Sequence, residues 1–428
     1  MEFSTYLTAG LSAATETLIR NYKGERTAGS LAEMEQAVQS ALHQVGCCAV
    51  KEWLEGQEAK YPAEKVACEC GKQARYVRQR AAVSLTLHGK INYRRAYYVC
   101  ECGQGQCPLD KRLAIEPGQM SAELKTIAAL FGVQEAYATS STTLARWLPV
   151  ELSPNSIRAA CQEVGEMIMA EEASLLKASQ DLKQQTATQR GQIPRTRLYL
   201  SMDGFLALFK DGWHELKAGV LWEADDDKRA RNQCYFVDTA TIDALAQLVW
   251  AKAWQHGADL AKQLVVLGDG SVWIWNLAKR LFPNAIHIVD AYHASSYLGK
   301  IAAEAFGEGT PLAITWFKHH KALLLDGHLA ELMRACRTIR PKALTTSDAA
   351  RRYFANNRTR LRYPKYRALG LQIGSGVMES TCKQIGLQRL KLAGARWSDE
   401  GACKLAKARA FFLCDKSNFA PFALPLVA

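Results

Sequence analysis

Long apolar runs are missing from this 428-residue sequence. No eighteen consecutive apolar residues occur, so no membrane-spanning helix is expected. The opening MEFSTYLTAGLSAATETLIR lacks a basic start followed by an apolar block. It does not read as a secretory leader, and the expected compartment is the cytoplasm. Internal repeats and low-complexity tracts are absent too. An even, closely spaced cysteine framework is also lacking: the thirteen cysteines are an odd number spread along a long chain, which argues against a disulfide scaffold. Acidic residues are missing altogether between Asp348 and Glu379.

What remains is ordinary globular composition, 48% hydrophobic and 22% charged, in a chain long enough for two or three domains. Lys and Arg number 54 against 42 Asp and Glu, a formal net charge of +12. Such an excess favours polyanionic partners, nucleic acid first among them. A merely basic enzyme has the same total, so the distribution of charge must decide.

Texture changes along the chain. LAEMEQAVQSALHQVGCCAVKEWLEG has apolar residues at helical spacing. From Tyr61 to about Asp110 come Cys pairs, glycines and a hairpin, AVSLTLHGKINYRRAYYVC, with its turn expected at His88-Gly89-Lys90. Helical pattern returns from Ser121 to about Gln185. There TTLARWLPVELSPNSIRAACQEVGEMIMAEE reads as a short helix, a turn and a longer helix, with Ser153 as N-cap and Pro154 at the first helical position. Either a helix-turn-helix or two packed core helices fits. The polar, basic segment Gln184–Arg197 reads as a linker. Beyond it LYLSMDG, HELKAGVLWE, QCYFVDT, QLVVLGDG and AIHIVDAYH read as strands, with helices at IDALAQLVWAKAWQHG and SVWIWNLAKRLFP. This order is that of a ribonuclease-H-like fold. About Ala294 to Gly370 reads as helix, and GSGVMESTCKQIGLQRLKLAG as a loop feeding a helix.

Three carboxylates stand where chemistry is expected. Asp203 and Asp269 end strands, each before a glycine, and Glu379 lies in the first turns of a helix after Gly374-Ser375-Gly376. Sites in open α/β sheets form outside the carboxyl ends of strands. Two such acids and a helix-borne third can hold two divalent ions for phosphodiester chemistry, with Mg²⁺ suited and Mn²⁺ able to substitute. Taken singly, each Asp fits a turn former and Glu379 a charge favouring the helix dipole. Asp290 also ends a strand; with His293 it is either an auxiliary pair for metal or phosphate, or a helix cap beside a packed ring.

Cys68, Cys70, Cys100 and Cys102 form two pairs separated by the hairpin, the donor set of a structural tetrahedral Zn²⁺. Cys107 is an alternate ligand. Cys161, Cys234, Cys336, Cys382, Cys403 and Cys414 are isolated and read as core filler or surface thiols. Basic residues cluster near Glu379: Arg351, Arg352, Arg358, Arg360, Arg362, Lys365 and Arg367 before it, Lys383, Arg389, Lys391 and Arg396 after it. Tyr353, Tyr363, Tyr366 and Trp397 interleave, as stacking platforms for nucleic acid would. Lys383 falls one helical turn after Glu379, positioned to hold a phosphate.

Together SMDGF at 201–205, VVLGDGSVWIWNLAKRLFP at 265–283, IHIVDAYHA at 286–294 and GSGVMESTCKQIGLQRLKLAGARWS at 374–398 resemble the insertion-sequence transposases of the ISKra type, which are related to Mutator-like DDE transposases. The resemblance covers most of the chain past residue 60, less specifically in the Cys-rich segment and GQCPLD at 105–110. It implies a catalytic triad at Asp203, Asp269 and Glu379, an acid-x-x-His motif at Asp290 and His293, and a helical insertion before Glu379. The parts implied are an N-terminal helical region (1–60), a zinc-ribbon-like module (61–115), a helix-turn-helix-like DNA-binding region (116–190), and a ribonuclease-H-like catalytic domain (195–428) with an all-α insertion at about 295–370. Relatives often carry Cys-x-x-Cys at the first knuckle, whereas Cys68-Glu69-Cys70 has one spacer. The implied activity is cleavage of element ends and strand transfer into target DNA by a bacterial enzyme associated with the nucleoid. Its partners are terminal inverted repeats, target DNA and at least a second copy of the chain on DNA. A ribonuclease-H-like nuclease that cuts without joining, and a domesticated DNA-binding protein, are the alternatives.

Overall fold

The computed structural model describes residues 30–57, 63–180, 197–225, 227–239, 241–340 and 342–414, with eight scattered residues between 4 and 19. The expected linker at Gln184–Arg197, Arg197 excepted, lies outside the described residues. So does most of the stretch before residue 30. No described helix is long and apolar enough to cross a membrane. The chain is a mixed α/β protein with two sheets. It folds as two compact units that divide between Cys161 and Gln162.

In the first unit, α1 (Leu31–Gly56) begins at Ser30, whose hydroxyl accepts the Glu33 amide. It packs against an antiparallel sheet of β1 (Lys65–Ala67), β2 (Gln73–Thr86), β3 (Gly89–Cys100) and β4 (Gly105–Gln106), in that order. β2 and β3 make one long hairpin that starts eight residues before the expected Ala81, with a bulge between Tyr76 and Arg78. Its turn is Leu87-His88, closed by Thr86 pairing with Gly89, one residue earlier than expected. Gly89 takes φ 131°, which a side chain resists. Leu54, Ala82, Ile91, Tyr93 and Leu109 form the main core. Beside it Arg95 Nε donates to both Asp110 oxygens at 2.9 and 2.8 Å, and its Nη1 to the Arg80 and Ala81 carbonyls.

Three helices follow the short α2 (Pro108–Arg112): α3 (Ala122–Gln134), α4 (Tyr137–Trp147) and α5 (Pro154–Gln180). Ser153 Oγ accepts the Ser156 amide at 3.1 Å, the expected cap. α3 and α5 approach closely at Gly132, where a Cβ would sit 2.6 Å from both Cys161 Sγ and Ile157 Cγ2.

The second unit is built on a five-stranded sheet ordered β7-β6-β5-β8-β9. β5 (Arg197–Phe209), β6 (Gly212–Ala224) and β7 (Ala230–Asp238) form an antiparallel meander. β8 (Gln263–Gly268) and β9 (Ile286–Val289) add in parallel to β5. Parallel strands need crossovers, supplied by α6 (Ile242–Gln255) and α7 (Val272–Leu281). Val265, Val266 and Leu267 are fully buried, as a continuous apolar strand covered on both faces should be.

Five helices then run from α8 (Ala291–Phe306) through α9 (Pro311–Leu325), α10 (Leu329–Ile339) and α11 (Leu344–Asn357) to α12 (Tyr363–Ala368). α13 (Gly376–Cys382) leads directly into a π-helix, Lys383–Leu390, where a single ordinary helix was expected. The π-helix lies so close to β5 that a Cβ on Gly386 would meet the Phe205 ring at 2.6 Å. α14 (Asp399–Leu413) packs against β7 and buries Lys407 and Arg409. Lys407 Nζ donates to Glu172 at 2.6 Å, Asp238 at 2.9 Å and the Val237 carbonyl at 3.0 Å.

Candidate metal centre and acidic cluster

The two Cys pairs sit on two matching turns of the first unit. Each reads Cys-Glu-Cys-Gly. In the first, the Cys68 amide donates to the Lys72 carbonyl and the Gly71 amide to the Cys68 carbonyl. In the second, Cys100 with Gln104 and Gly103 with Cys100 repeat the pattern. Gly71 at φ 83° and Gly103 at φ 87° take the left-handed conformation that closes each turn. Both knuckles thus carry the one-residue spacer and are built alike.

All four sulfurs lie within 4.8 Å of one another. Cys68 and Cys102 are 3.8 Å apart, Cys70 and Cys100 3.6 Å. Four sulfurs at ~2.3 Å from a tetrahedral ion would be about 3.8 Å apart, so the spacing fits a thiolate-bound metal. The Lys72 amide, and then the Cys102 thiol, hold Cys70 down at about 7. Although the Cys102 amide favours the Cys100 thiolate, burial and the neighbouring sulfurs push Cys100 up to about 12. A cation neutralises such a set of competing thiols. Cys107 is outside the group; it precedes Pro108 at the start of α2.

The acids belong to the second unit. Asp203 does not end its strand. β5 continues to Phe209, because residues past Asp203 stay paired with β6, Asp203 itself opposite Ala218. What ends there is the parallel pairing with β8, whose last pair is Ser201 with Leu267. Asp203 and Asp269 each stand two residues beyond that pair. The pairing of β8 with β9 ends at Gly268 and Val289, and Asp269 and Asp290 follow directly. The register thus puts Asp203, Asp269 and Asp290 in one row where the three parallel strands part.

Each acid is held differently. Burial pushes the Asp203 carboxyl up, against the pull of the Gly204 amide; the Asp269 charge raises it further and His293 lowers it. Asp269 accepts the Ser271 amide at 2.8 Å and its hydroxyl at 2.9 Å. Its carbonyl accepts the Tyr353 hydroxyl at 2.7 Å. Tyr353 stacks on Tyr297 at 4.4 Å and borders His293. Gly270, at φ 108°, leaves room for the Tyr353 ring. Asp290 is 3% exposed, and its two oxygens accept the His293 and Ser375 amides. It is a helix cap that also ties down the loop before α13. The Ala291 amide, donating to the Ile373 carbonyl at 2.8 Å, ties the same loop.

Glu379 lies on α13, which packs over β5 and β6. Its side chain is exposed. Cys382, one turn later, is the α13 residue that senses the acids: burial, then Asp203, push its thiol up to about 12. Its only sequence signal is the three-residue interval from Glu379. Among the described residues, the four cysteines are the only set of three or more His, Cys, Asp or Glu spaced to hold a metal; neither the row of Asp203, Asp269 and Asp290 nor those aspartates with Glu379 forms such a set.

The expected basic surface divides. Arg352, Arg358, Arg362, Lys365, Lys383, Lys391 and Arg396 are exposed. Arg351 is half-buried and pairs with Asp348 at 3.3 Å. Arg360 and Arg389 are interior residues, 9% and 2% exposed, so neither presents its charge on the open surface. The aromatic residues are structural as well. Tyr363 donates to the Val289 carbonyl at 3.0 Å, Tyr366 to those of His287 and Thr359 at 3.2 Å, and Trp397 Nε1 to that of Leu390 at 2.8 Å.

The fold and its centres define a mixed α/β protein with a metal-competent cysteine module in one unit and a row of acids in the other. The chain belongs to UPF0236, an uncharacterised protein family whose pattern matches residues 27–306. A comparison with curated proteins finds no match.

Proposed function

We propose that this protein is a DNA transposase that cuts element ends and joins them to target DNA using two Mg²⁺ ions. The observation that carries the reading is the row of Asp203, Asp269 and Asp290 at the parting of three parallel strands, with the Glu379 helix anchored beside it through Asp290. Sheet order supports a ribonuclease-H-like catalytic unit: a three-stranded antiparallel meander, then two parallel strands added to its first strand. Asp203 and Asp269 would hold the ions, and Glu379 would join them when metal and DNA draw α13 inward. Asp290 is a positioning residue, and His293 faces the same acids. Two metals would stabilise the attacking and leaving oxygens of in-line displacement. Because a 3′-hydroxyl is the second nucleophile, no Ser or Tyr adduct is assigned.

The cysteine module would be a zinc-ribbon-like DNA-contacting part, its four thiolates satisfied by one structural Zn²⁺. The exposed cations near Glu379 would neutralise phosphates, and synapsis of two ends would need at least a dimer.

Labelled DNA carrying the element's own ends tests this. Metal-dependent nicks and joined products are expected from wild type and lost in Asp203→Asn, Asp269→Asn and Glu379→Gln, with DNA binding retained. Nicks without joining would make it a nuclease. Binding without any product would make it a DNA-binding protein with silent acids.

A further inference from the structure

Outside the acidic row, a cavity of about 410 Å³ opens beside the outer edge of the sheet, where β9 begins. Lys279, His287, Arg360, Arg362 and Lys365 line it, and no carboxylate does. Charge pairing sets these residues apart from their neighbours. Arg280 pairs with Asp243 at 2.8 Å, Arg340 with Asp348 at 3.1 Å, Arg351 with Asp348 at 3.3 Å and Arg367 with Asp326 at 3.0 Å. Among the described residues, Lys279, Arg360, Arg362 and Lys365 have no acidic partner, yet they converge on one cavity.

Arg360 is its floor. Its guanidinium lies 4.6 Å over the Trp275 ring, and Nη1 donates to Asn357 Oδ1 at 2.7 Å. The backbone is fixed too: its carbonyl accepts the Val289 amide at 3.2 Å. A buried cation without a counter-ion is costly to keep, and burial lowers the Arg360 pKa accordingly. The Tyr366 hydroxyl, bound to the His287 and Thr359 carbonyls, braces the wall. Arg360 is therefore held in place before any ligand arrives, while Lys279, Arg362 and Lys365 are exposed side chains at the rim.

We propose that this cavity is a phosphate-binding site, with Arg360 as the fixed bidentate donor and Arg362, Lys365 and Lys279 closing around the anion. Guanidinium matches phosphate geometry, and the lysines add point charge. The volume lies in the range of small-molecule sites, so a phosphate with an attached sugar fits. His287, on the cavity wall, lies three residues before Asp290, roughly 10 Å along the chain at strand spacing. Its occupancy does not depend on the acids; because Arg362 and Lys365 are also among the cations proposed to neutralise DNA phosphates, a DNA source rests on the transposase reading and a free compound does not. The phosphate is carried either by a free nucleotide-like compound or by a DNA backbone.

Thermal shift and calorimetric titration of the full-length protein, without added divalent metal, test the proposal. The probes are inorganic pyrophosphate, a deoxynucleoside monophosphate and a short DNA duplex. Wild type is expected to bind pyrophosphate or the monophosphate with one-to-one stoichiometry; binding of the duplex alone, which the exposed cations give without a cavity, overturns the site. Arg362→Gln with Lys365→Gln, both exposed positions, should weaken that binding at least tenfold without changing Tm in the absence of ligand. Asp203→Asn should bind as wild type does, so a failure of the catalytic reading leaves this result untouched. Competition separates the sources. Displacement of pyrophosphate by duplex, with both weakened by the double substitution, assigns a DNA phosphate; binding of the small anions alone assigns a free compound. No binding of any probe, or equal binding by the double variant, overturns the site.

Discussion

Asp290 and Ser375 are joined across 85 residues, one carboxylate oxygen of the buried aspartate accepting the amide of the serine. The other oxygen accepts the His293 amide at the start of α8. One side chain thus caps a helix and fixes the loop that carries Glu379. Asp290→Ala leaves two amides without their acceptor, at about 1–3 kcal/mol for each buried group. We expect Tm to fall and the amides of residues 375–379 to exchange faster with solvent, while those of β5 and β6 stay protected. Unchanged exchange at Ser375 would show that the loop is held by other contacts.

The cysteine module should hold one Zn²⁺ per chain, measured by elemental analysis of the purified protein. Cys70→Ser or Cys102→Ser should reduce that content by more than half and lower the Tm of the first unit. Ligation needs thiolates, so affinity falls as pH falls; release on acidification below the ordinary thiol range is the expected direction. Retained zinc in both variants would move the ligands elsewhere, to Cys107 first.

Much of this arrangement is legible in the sequence. The apolar runs ending in SMD, LGD and IVD mark the three parallel strands, and their acids fall in one row because the register is set by buried residues with no freedom to slip. The start of the hairpin at Gln73 is less legible, because QARYVRQR has no apolar alternation and is mostly exposed. A π-helix leaves no periodicity of its own over eight residues. Arg360 and Arg389 mislead because charge in a sequence reads as surface, whereas here one lies over Trp275 and the other over Trp397. Cys68-Glu69-Cys70 keeps its one-residue spacer, and its twin Cys100-Glu101-Cys102 makes the same turn, a likeness the sequence shows only once the two segments are aligned.

Lys407 is 3% exposed between Glu172 and Asp238. Burial works to lower its pKa, but the two carboxylates more than offset this and raise it. A raised lysine contributes stability that is complete below its unfolded value, roughly 10.4, and lost as pH rises through the folded value. Lys407→Met should therefore destabilise the protein at neutral pH by about 3 kcal/mol, the low end for a broken buried pair, because Glu172 keeps Lys252 at 3.6 Å and Asp238 is partly exposed. Adding Glu172→Gln should recover part of the loss, a coupling that a double-mutant cycle in urea measures. Additive losses would mean the pair is not coupled.

Asp203 behaves in the opposite sense. Its carboxyl is raised by burial and by Asp269, so the folded state favours the protonated form. The resulting penalty is present above the folded pKa and relieved as pH falls toward the ordinary value. Asp203→Asn should raise the Tm of the metal-free protein at pH 7, and the gain should shrink in acid. Mg²⁺ or Mn²⁺, bound as proposed, should reverse the comparison, since an ion bound to the folded state stabilises it by about 1.4 kcal/mol at ten times its Kd. Wild type should gain Tm with added metal, and Asp203→Asn should gain little. Substitution of a surface turn aspartate would give neither effect. A stabilised variant that still responds fully to Mg²⁺ would move the ion to Asp269 and Asp290 and remove Asp203 from the metal site.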